Sequence, residues 1–167
     1  AGLILIGYDP DLLDSDIFKK IRSENPVVCI RGGHRISGNE LTPLDKKGLQ
    51  EAVESFSHSV NAVAVSGFFS VRNPSHELAA KAMIREMTGL PVTCGHELTT
   101  NLDAPRRAIT TLLNARLIPL IHELIRSVEK VLIDFNIHAP LMIVKGDGSL
   151  ISAKAALDVP IETILSG

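Results

Sequence analysis

Three groups of residues combine types and spacings that could do chemistry. Lys145-Gly146-Asp147-Gly148-Ser149 follows an apolar, β-branched run at 141–144. Glycines on both sides of an acid let backbone amides approach an anion, and Asp147 could then hold a metal or orient water. The same residues also read as a plain strand-to-helix connection with Ser149 or Ser152 as the helix cap, since no full phosphate-loop pattern accompanies them. In the second group, Arg106 and Arg107 precede Thr110, Thr111 and Asn114. Thr110 and Asn114 are four apart and Arg107 is three before Thr110, so the three share one helical face that could grip a carboxylate or phosphate. The plainer alternative is a solvated arginine pair with capping hydroxyls.

The third group is Cys94-Gly95-His96-Glu97, at the end of an apolar run. A Cys-x-His with remote acids could bind a metal, with His96 and Glu97 as ligand candidates. His96, with Asp147, is a candidate catalytic group, although a lone histidine at a strand end is commonly structural. Two further stretches are weaker. In Arg72-Asn73-Pro74-Ser75-His76-Glu77 the histidine and glutamate are adjacent, so they do not form an i, i+4 zinc pair. Arg31-Gly32-Gly33-His34 interrupts a strand-like run. No Ser-His-Asp or Cys-His nucleophile arrangement stands out.

The elements that must position these groups alternate in type. Residues 3–8 read as a short strand that Asp9-Pro10 turns into a helix over 11–23, and 26–30 is a second β-branched run, in a hairpin or at a sheet edge. Thr42-Pro43 opens a helix, with Thr42 as cap, Pro43 at its first position and Asp45 favouring the N-terminus. Leu49, Val53 and Phe56 form its inner face. Residues 62–67 read as a buried strand. Asn73-Pro74 begins another helix, with Leu78, Ala82 and Met87 inward, which Gly89 ends; 91–94 is the next strand. Strands alternating with helices of about a dozen residues predict β-α-β units and a mainly parallel sheet with flanking helices.

Residues 104–136 carry the longest helical pattern. Leu117, Ile121, Leu124, Val128, Val131 and Phe135 recur at steps of four and three. Unbroken, this helix would run about 48 Å, and Pro119 inside it predicts a kink or a division in two. A helix of that length overhangs its domain or packs on a partner. Residues 141–144 read as a buried strand, and the chain closes on an apolar segment and Leu165-Ser166-Gly167.

Bulk properties narrow the classes. The chain has 167 residues, 45% hydrophobic and 22% charged, with a net charge of −2, which is ordinary globular composition with room for one core. No basic run with interleaved aromatics marks a nucleic-acid partner. No uninterrupted apolar run reaches the ~18 residues of a membrane span, and the apolar N-terminus lacks a basic region and a cleavage site. Two cysteines, Cys29 and Cys94, are too few for a disulfide framework and predict buried thiols in a reduced, cytoplasmic setting.

Residues 62–77, 92–98, 106–121 and 141–167 together resemble the hydantoinase/oxoprolinase family, in its ATP-dependent A-type portion. The phrases that carry the likeness are Arg-Asn-Pro-x-His-Glu at 72–77, Thr-Thr-x-Leu-Asn-Ala at 110–115 and the closing Leu-Ser-Gly. The resemblance implies a fold like part of the actin-like ATPase and sugar-kinase superfamily. It also implies ATP and Mg2+ as cofactors, and hydrolytic opening of a cyclic amide such as 5-oxoproline or a hydantoin. Arg107, Thr110 and Asn114 would line a ligand cleft, with Asp147 and Ser149 at a strand end facing it. Partners would be the remainder of a longer polypeptide or a B-type subunit, with no nucleic acid and no membrane. The family's Asp-x-Gly-Gly-Thr phosphate loop, and the acidic Gly-Gly-Thr that follows Ser-Gly-Pro-Ala-Ala, are both absent from these residues. The expectation is therefore an internal piece of a larger enzyme, inactive alone. Alternatives are a non-catalytic assembly module, or a relative with altered chemistry such as kinase activity or ketone carboxylation.

Overall fold

The computed structural model describes residues 1–157. They form two compact units, one over Ala1–Ala115 and one from Arg116 onward. The first holds a four-stranded sheet of order β2-β1-β3-β4, in which every pairing is parallel. Its strands are β1 (Gly2–Ile6), β2 (Val27–Ile30), β3 (Val63–Gly67) and β4 (Val92–Cys94). The connecting helices are α1 (Asp16–Glu24), α2 (Lys46–Phe56) and α3 (Ser75–Thr88); α4 (Gly95–Leu98) and α5 (Ala104–Asp134) follow β4. The predicted parallel α/β architecture is what forms, with β2 an edge strand rather than half of a hairpin.

Each strand alternates between two cores, as its two-residue period requires. Ile4, Ile6, Val63 and Val65 face α2 and α3, packing with Leu49, Val53, Phe56, Ala80 and Ile84. Leu3, Leu5, Ala62 and Ala64 face the other way, toward Phe18 of α1 and Ala104, Ala108, Leu112 and Ala115 of α5. Small residues on both surfaces let α5 lie close to the sheet. With α1 on one side and α2 and α3 on the other, successive connections leave β1 and β3 in opposite directions. That is a topological switch point, and open α/β sheets place ligands outside the strand C-termini there.

Several local expectations change. Helix α2 starts later than Thr42-Pro43 predicts: Asp45 is its cap and accepts from the Gly48 amide at 2.9 Å. In α3 the inward residues are His76, Glu77, Ala80 and Ile84, whereas Leu78, Ala82 and Met87 are exposed. Helix α5 continues unbroken through Pro119. The stripe from Leu117 to Phe135 is at best half-buried, with Leu124, Val131 and Phe135 exposed; the buried residues of α5 are Ala104, Arg107, Ala108, Thr111, Leu112, Asn114, Ala115, Ile118 and Ile125. By length and composition α5 does reach the membrane-span range, with mean hydropathy 1.3 in its most apolar window. Its first three turns are nevertheless a core helix of the α/β unit.

Within the second unit, β5 (Met142–Val144) and β6 (Leu150–Ser152) form an antiparallel hairpin, followed by α6 (Ala153–Ala156). Residues 141–144 are therefore not a buried strand: Met142 and Val144 are exposed. Ser152 caps α6 by accepting from the Ala155 amide at 3.2 Å. The apolar segment after Leu157 and the Leu165-Ser166-Gly167 close lie outside the described residues.

One turn fixes the geometry at the end of β1. Gly7 has φ +71°, and a Cβ there would lie 2.8 Å from the Gly32 carbonyl oxygen. Both the left-handed backbone and the near approach of the β2 loop exclude a side chain. Gly7→Ala should cost about 2 kcal/mol or more, from the left-handed penalty plus the clash, read as a drop in the urea unfolding midpoint.

Candidate functional site

The polar residues of the first unit gather at the C-terminal edge of the sheet. Tyr8, just past β1, donates to the Ala104 carbonyl at 2.7 Å and pairs with the Ser66 hydroxyl at 2.8 Å. Since its proton goes to the carbonyl, the serine hydroxyl is the donor to Tyr8. Burial pushes the Tyr8 phenol up to about 12, so it acts as a neutral strut between β1, β3 and the start of α5.

Arg107 is the largest fully buried side chain there, 1% exposed. Its guanidinium donates to three backbone carbonyls: Gly67 at 2.8 Å, Phe68 at 2.6 Å and Asn101 at 2.6 Å. Its Nε is buried with no partner among the described residues. Arg107 thus ties the end of β3 to the loop before α5. Glu77, 0% exposed, works from the other end of Gly67. One carboxylate oxygen accepts the Gly67 amide at 2.6 Å; the other accepts the His96 amide at 3.0 Å and the His96 Nδ1. A carboxylate can only accept, so Nδ1 carries a proton. Nε2 has no hydrogen-bond partner among the described residues. Gly95 is where the two networks meet, since a Cβ there would lie 3.1 Å from Arg107 Cγ and 3.2 Å from Glu77 Oε1.

A second cluster joins the β2 loop to the start of α3. The His34 and His76 rings lie 4.2 Å apart between centroids. His76 Nδ1 accepts the Gly33 amide at 3.0 Å, which places its proton on Nε2, 2.8 Å from Glu40. His34 Nε2 meets the Ser75 hydroxyl at 3.0 Å. Burial first, and His76 second, lower the His34 pKa, against an opposing pull from Glu40. His34 is therefore favoured neutral in the fold, so its contribution to stability is complete above the unfolded value near 6.5 and is lost as pH falls below it. Urea midpoints should fall between pH 7.5 and 5.5, and His34→Gln should flatten that dependence.

The residues singled out from sequence divide three ways. Arg107 and Asn114 are both buried, whereas Thr110 is only partly so. The Asn114 amide donates to the Thr93 hydroxyl at 3.0 Å, and Thr111 is the buried threonine of the row. Thr110 is partly exposed and donates to the Arg106 carbonyl at 3.1 Å. It lines a cavity of about 340 Å³ with Thr99, Asn101, Asp103, Arg106 and Arg107. No ion pair engages the Arg106 side chain among the described residues. Next, His96 and Glu97 do not converge on one ion. Glu97 caps α4 by accepting the Cys94 amide at 3.0 Å and pairs with Lys81, and the acid beside His96 is Glu77. Last, Asp147 and Ser149 belong to the second unit, in the exposed tip of the β5–β6 hairpin.

Local hydrogen bonds hold that tip. The Ser149 amide and hydroxyl both donate to Asp147 Oδ1, at 2.9 and 2.6 Å, and the Gly148 amide donates to the Lys145 carbonyl at 2.9 Å. These hydrogen bonds from Ser149 hold the Asp147 carboxyl below its usual range. Sequence reading noted His34, His76 and Glu77 only as weaker stretches and did not single out Glu40.

A doubly wound parallel sheet with a polar network at its C-terminal edge defines an open α/β unit of the kind that places ligands at that edge. Comparison with known proteins makes this specific. Residues 2–88 match the hydantoinase/oxoprolinase N-terminal region, and residues 107–167 match hydantoinase/oxoprolinase. The chain belongs to the hydantoinase/oxoprolinase family, and the match reaches the first forty residues as well. Over 141 residues it is 34% identical to caprolactamase subunit alpha of Pseudomonas jessenii, covering 81% of this chain and 20% of that protein. It is 27% identical over 133 residues to an uncharacterised protein of Methanocaldococcus jannaschii, covering 78% and 20%. The chain thus spans about a fifth of the length of these relatives. Among solved structures, the ATP-dependent caprolactamase from P. jessenii superposes with TM-score 0.84 at 27% identity, over 99% of this chain and 26% of that one. An acetone carboxylase in nucleotide-free form gives 0.68 at 15% identity, over 99% and 27%, a likeness of fold alone.

Proposed function

We propose that this chain is part of an ATP-dependent hydrolase that opens a cyclic amide, and that it does not catalyse that reaction alone. The observation that carries this reading is the similarity to caprolactamase subunit alpha, whose solved structure it follows over nearly its whole length. In this reading ATP and its Mg2+ are held by the rest of the enzyme, which includes a B-type partner subunit. This chain's share is the polar edge of its sheet: Arg106 and Thr110 line a cavity able to hold a polar group, over a floor fixed by Arg107.

The test is a screen of the enzyme containing this chain, with magnesium ATP and a panel of 5-oxoproline, hydantoin and caprolactam. Ring opening and ADP release should rise together on at least one ring. Ring opening without ATP, or no ring-dependent ATP consumption on any of them, would overturn the reading. The isolated 167-residue chain should show no ring-dependent ATPase activity.

A further inference from the structure

Glu77, Cys94 and His96 come from three different elements, yet each brings one ligand-type atom within 4.8 Å of the other two. Cys94 is the last residue of β4, held in register opposite Val65 of β3. Its thiol donates to the Glu77 carbonyl at 3.5 Å. Glu77 is anchored through its first oxygen by the Gly67 amide, which leaves the second toward His96. Cys94 and Glu77 are fully buried, while the His96 side chain keeps 18% of its surface. An ion would therefore enter past the histidine and keep room for water on that side.

We propose that Glu77, Cys94 and His96 form a divalent metal site of the zinc class. A thiolate, an imidazole nitrogen and a carboxylate oxygen make a mixed donor set that suits Zn2+ and not Mg2+ or Ca2+, which take oxygen ligands. Thiolate and carboxylate together neutralise a divalent charge, so the ion would not leave a net charge buried in the core. Three protein ligands leave a fourth, open position for water. The hydrogen bond from the Gly67 amide to Glu77 supplies an outer support for the carboxylate.

The proton balance is simple. In the metal-free protein the thiol is held protonated by burial and by the nearby Glu77 and Glu97 carboxylates. Zn2+ binding forms the metal–sulfur bond and releases that thiol proton to solvent. Where Nδ1 is the ligating nitrogen, its proton passes to Nε2 or to solvent. This site is independent of the ATP-dependent reaction proposed above and is testable on the chain itself.

The metal-stripped 167-residue chain is titrated with Co2+, a spectroscopic stand-in for Zn2+, and then with Zn2+ in competition. One equivalent of Co2+ should produce a thiolate-to-cobalt charge-transfer band, which Zn2+ then removes. Cys29→Ser, altering the other cysteine, should keep the band; Cys94→Ser should abolish it; Glu77→Gln should weaken binding at least ten-fold. Circular dichroism establishes that each variant is folded. The wild-type titration is decisive even where a variant fails to fold, because binding without a thiolate band, or no binding at all, overturns the proposal. So does a band that survives Cys94→Ser.

Discussion

Arg107→Ala should destabilise the fold by about 3–5 kcal/mol, the largest loss expected from a single side chain in the first unit. Hydrogen bonds from a charged donor are worth ~1.5–3 kcal/mol each and do not add fully. Arg107 makes three, to the carbonyls of Gly67, Phe68 and Asn101. Alanine strands those acceptors and leaves a void where a fully buried side chain stood. A total stability of ~5–15 kcal/mol makes this a large fraction. Arg107→Lys should recover little, because one ammonium cannot reproduce a planar fork reaching three carbonyls. Urea unfolding followed by circular dichroism measures both. A loss below about 1 kcal/mol would mean that the carbonyls find other donors and that Arg107 is not the tie described.

Glu77→Ala should cost about 3–4 kcal/mol. The carboxylate satisfies two backbone amides, Gly67 and His96, as well as the His96 ring, and each buried donor left unpaired costs ~1–3 kcal/mol. Glu77→Gln should cost less, about 1–2 kcal/mol, since the amide oxygen still accepts while its NH2 faces other donors. The two substitutions share a readout that a merely space-filling residue would not move. In the wild-type chain the His96 ring proton sits on Nδ1, visible in a long-range 1H–15N spectrum of the imidazole. Both variants should release it and let the Nε2–H tautomer appear.

These two residues also show why the edge was hard to read from sequence. The sheet was legible, because alternating β-branched runs and capped amphipathic segments specify β-α-β units through local chemistry alone. Leu49, Val53 and Phe56 of α2 and the Gly89 helix stop follow the same logic. Helix α3 does not: its inward face begins with His76 and Glu77, so apolar periodicity selected Leu78 and Met87, which are exposed. A buried polar face becomes readable only once its partners, Gly33, Gly67 and His96, are placed by the fold. Helix α5 fails differently. It is apolar on several sides, so a stripe drawn through Leu117 and Phe135 looks as regular as the one through Ala104, Ala108 and Ala115 that packs on the sheet. Gly-Asp-Gly-Ser suits either a strand-to-helix loop or a hairpin tip, and only the pairing of Met142–Val144 with Leu150–Ser152 decides it. The family resemblance rested on motifs whose buried members, Arg107, Asn114 and Glu77, make hydrogen bonds at the sheet edge.

The central claim is that Arg107 and Glu77 act as one unit, gripping opposite ends of the Gly67 residue and holding the C-termini of β3 and β4 in place. A double-mutant cycle tests it most directly. Unfolding free energies are measured for the wild-type chain, Arg107→Met, Glu77→Gln and the double variant. The predicted result is a coupling energy of about 1 kcal/mol or more, with the double variant losing less than the sum of the single losses. Additivity within ~0.5 kcal/mol, the behaviour of independent sites, would contradict it.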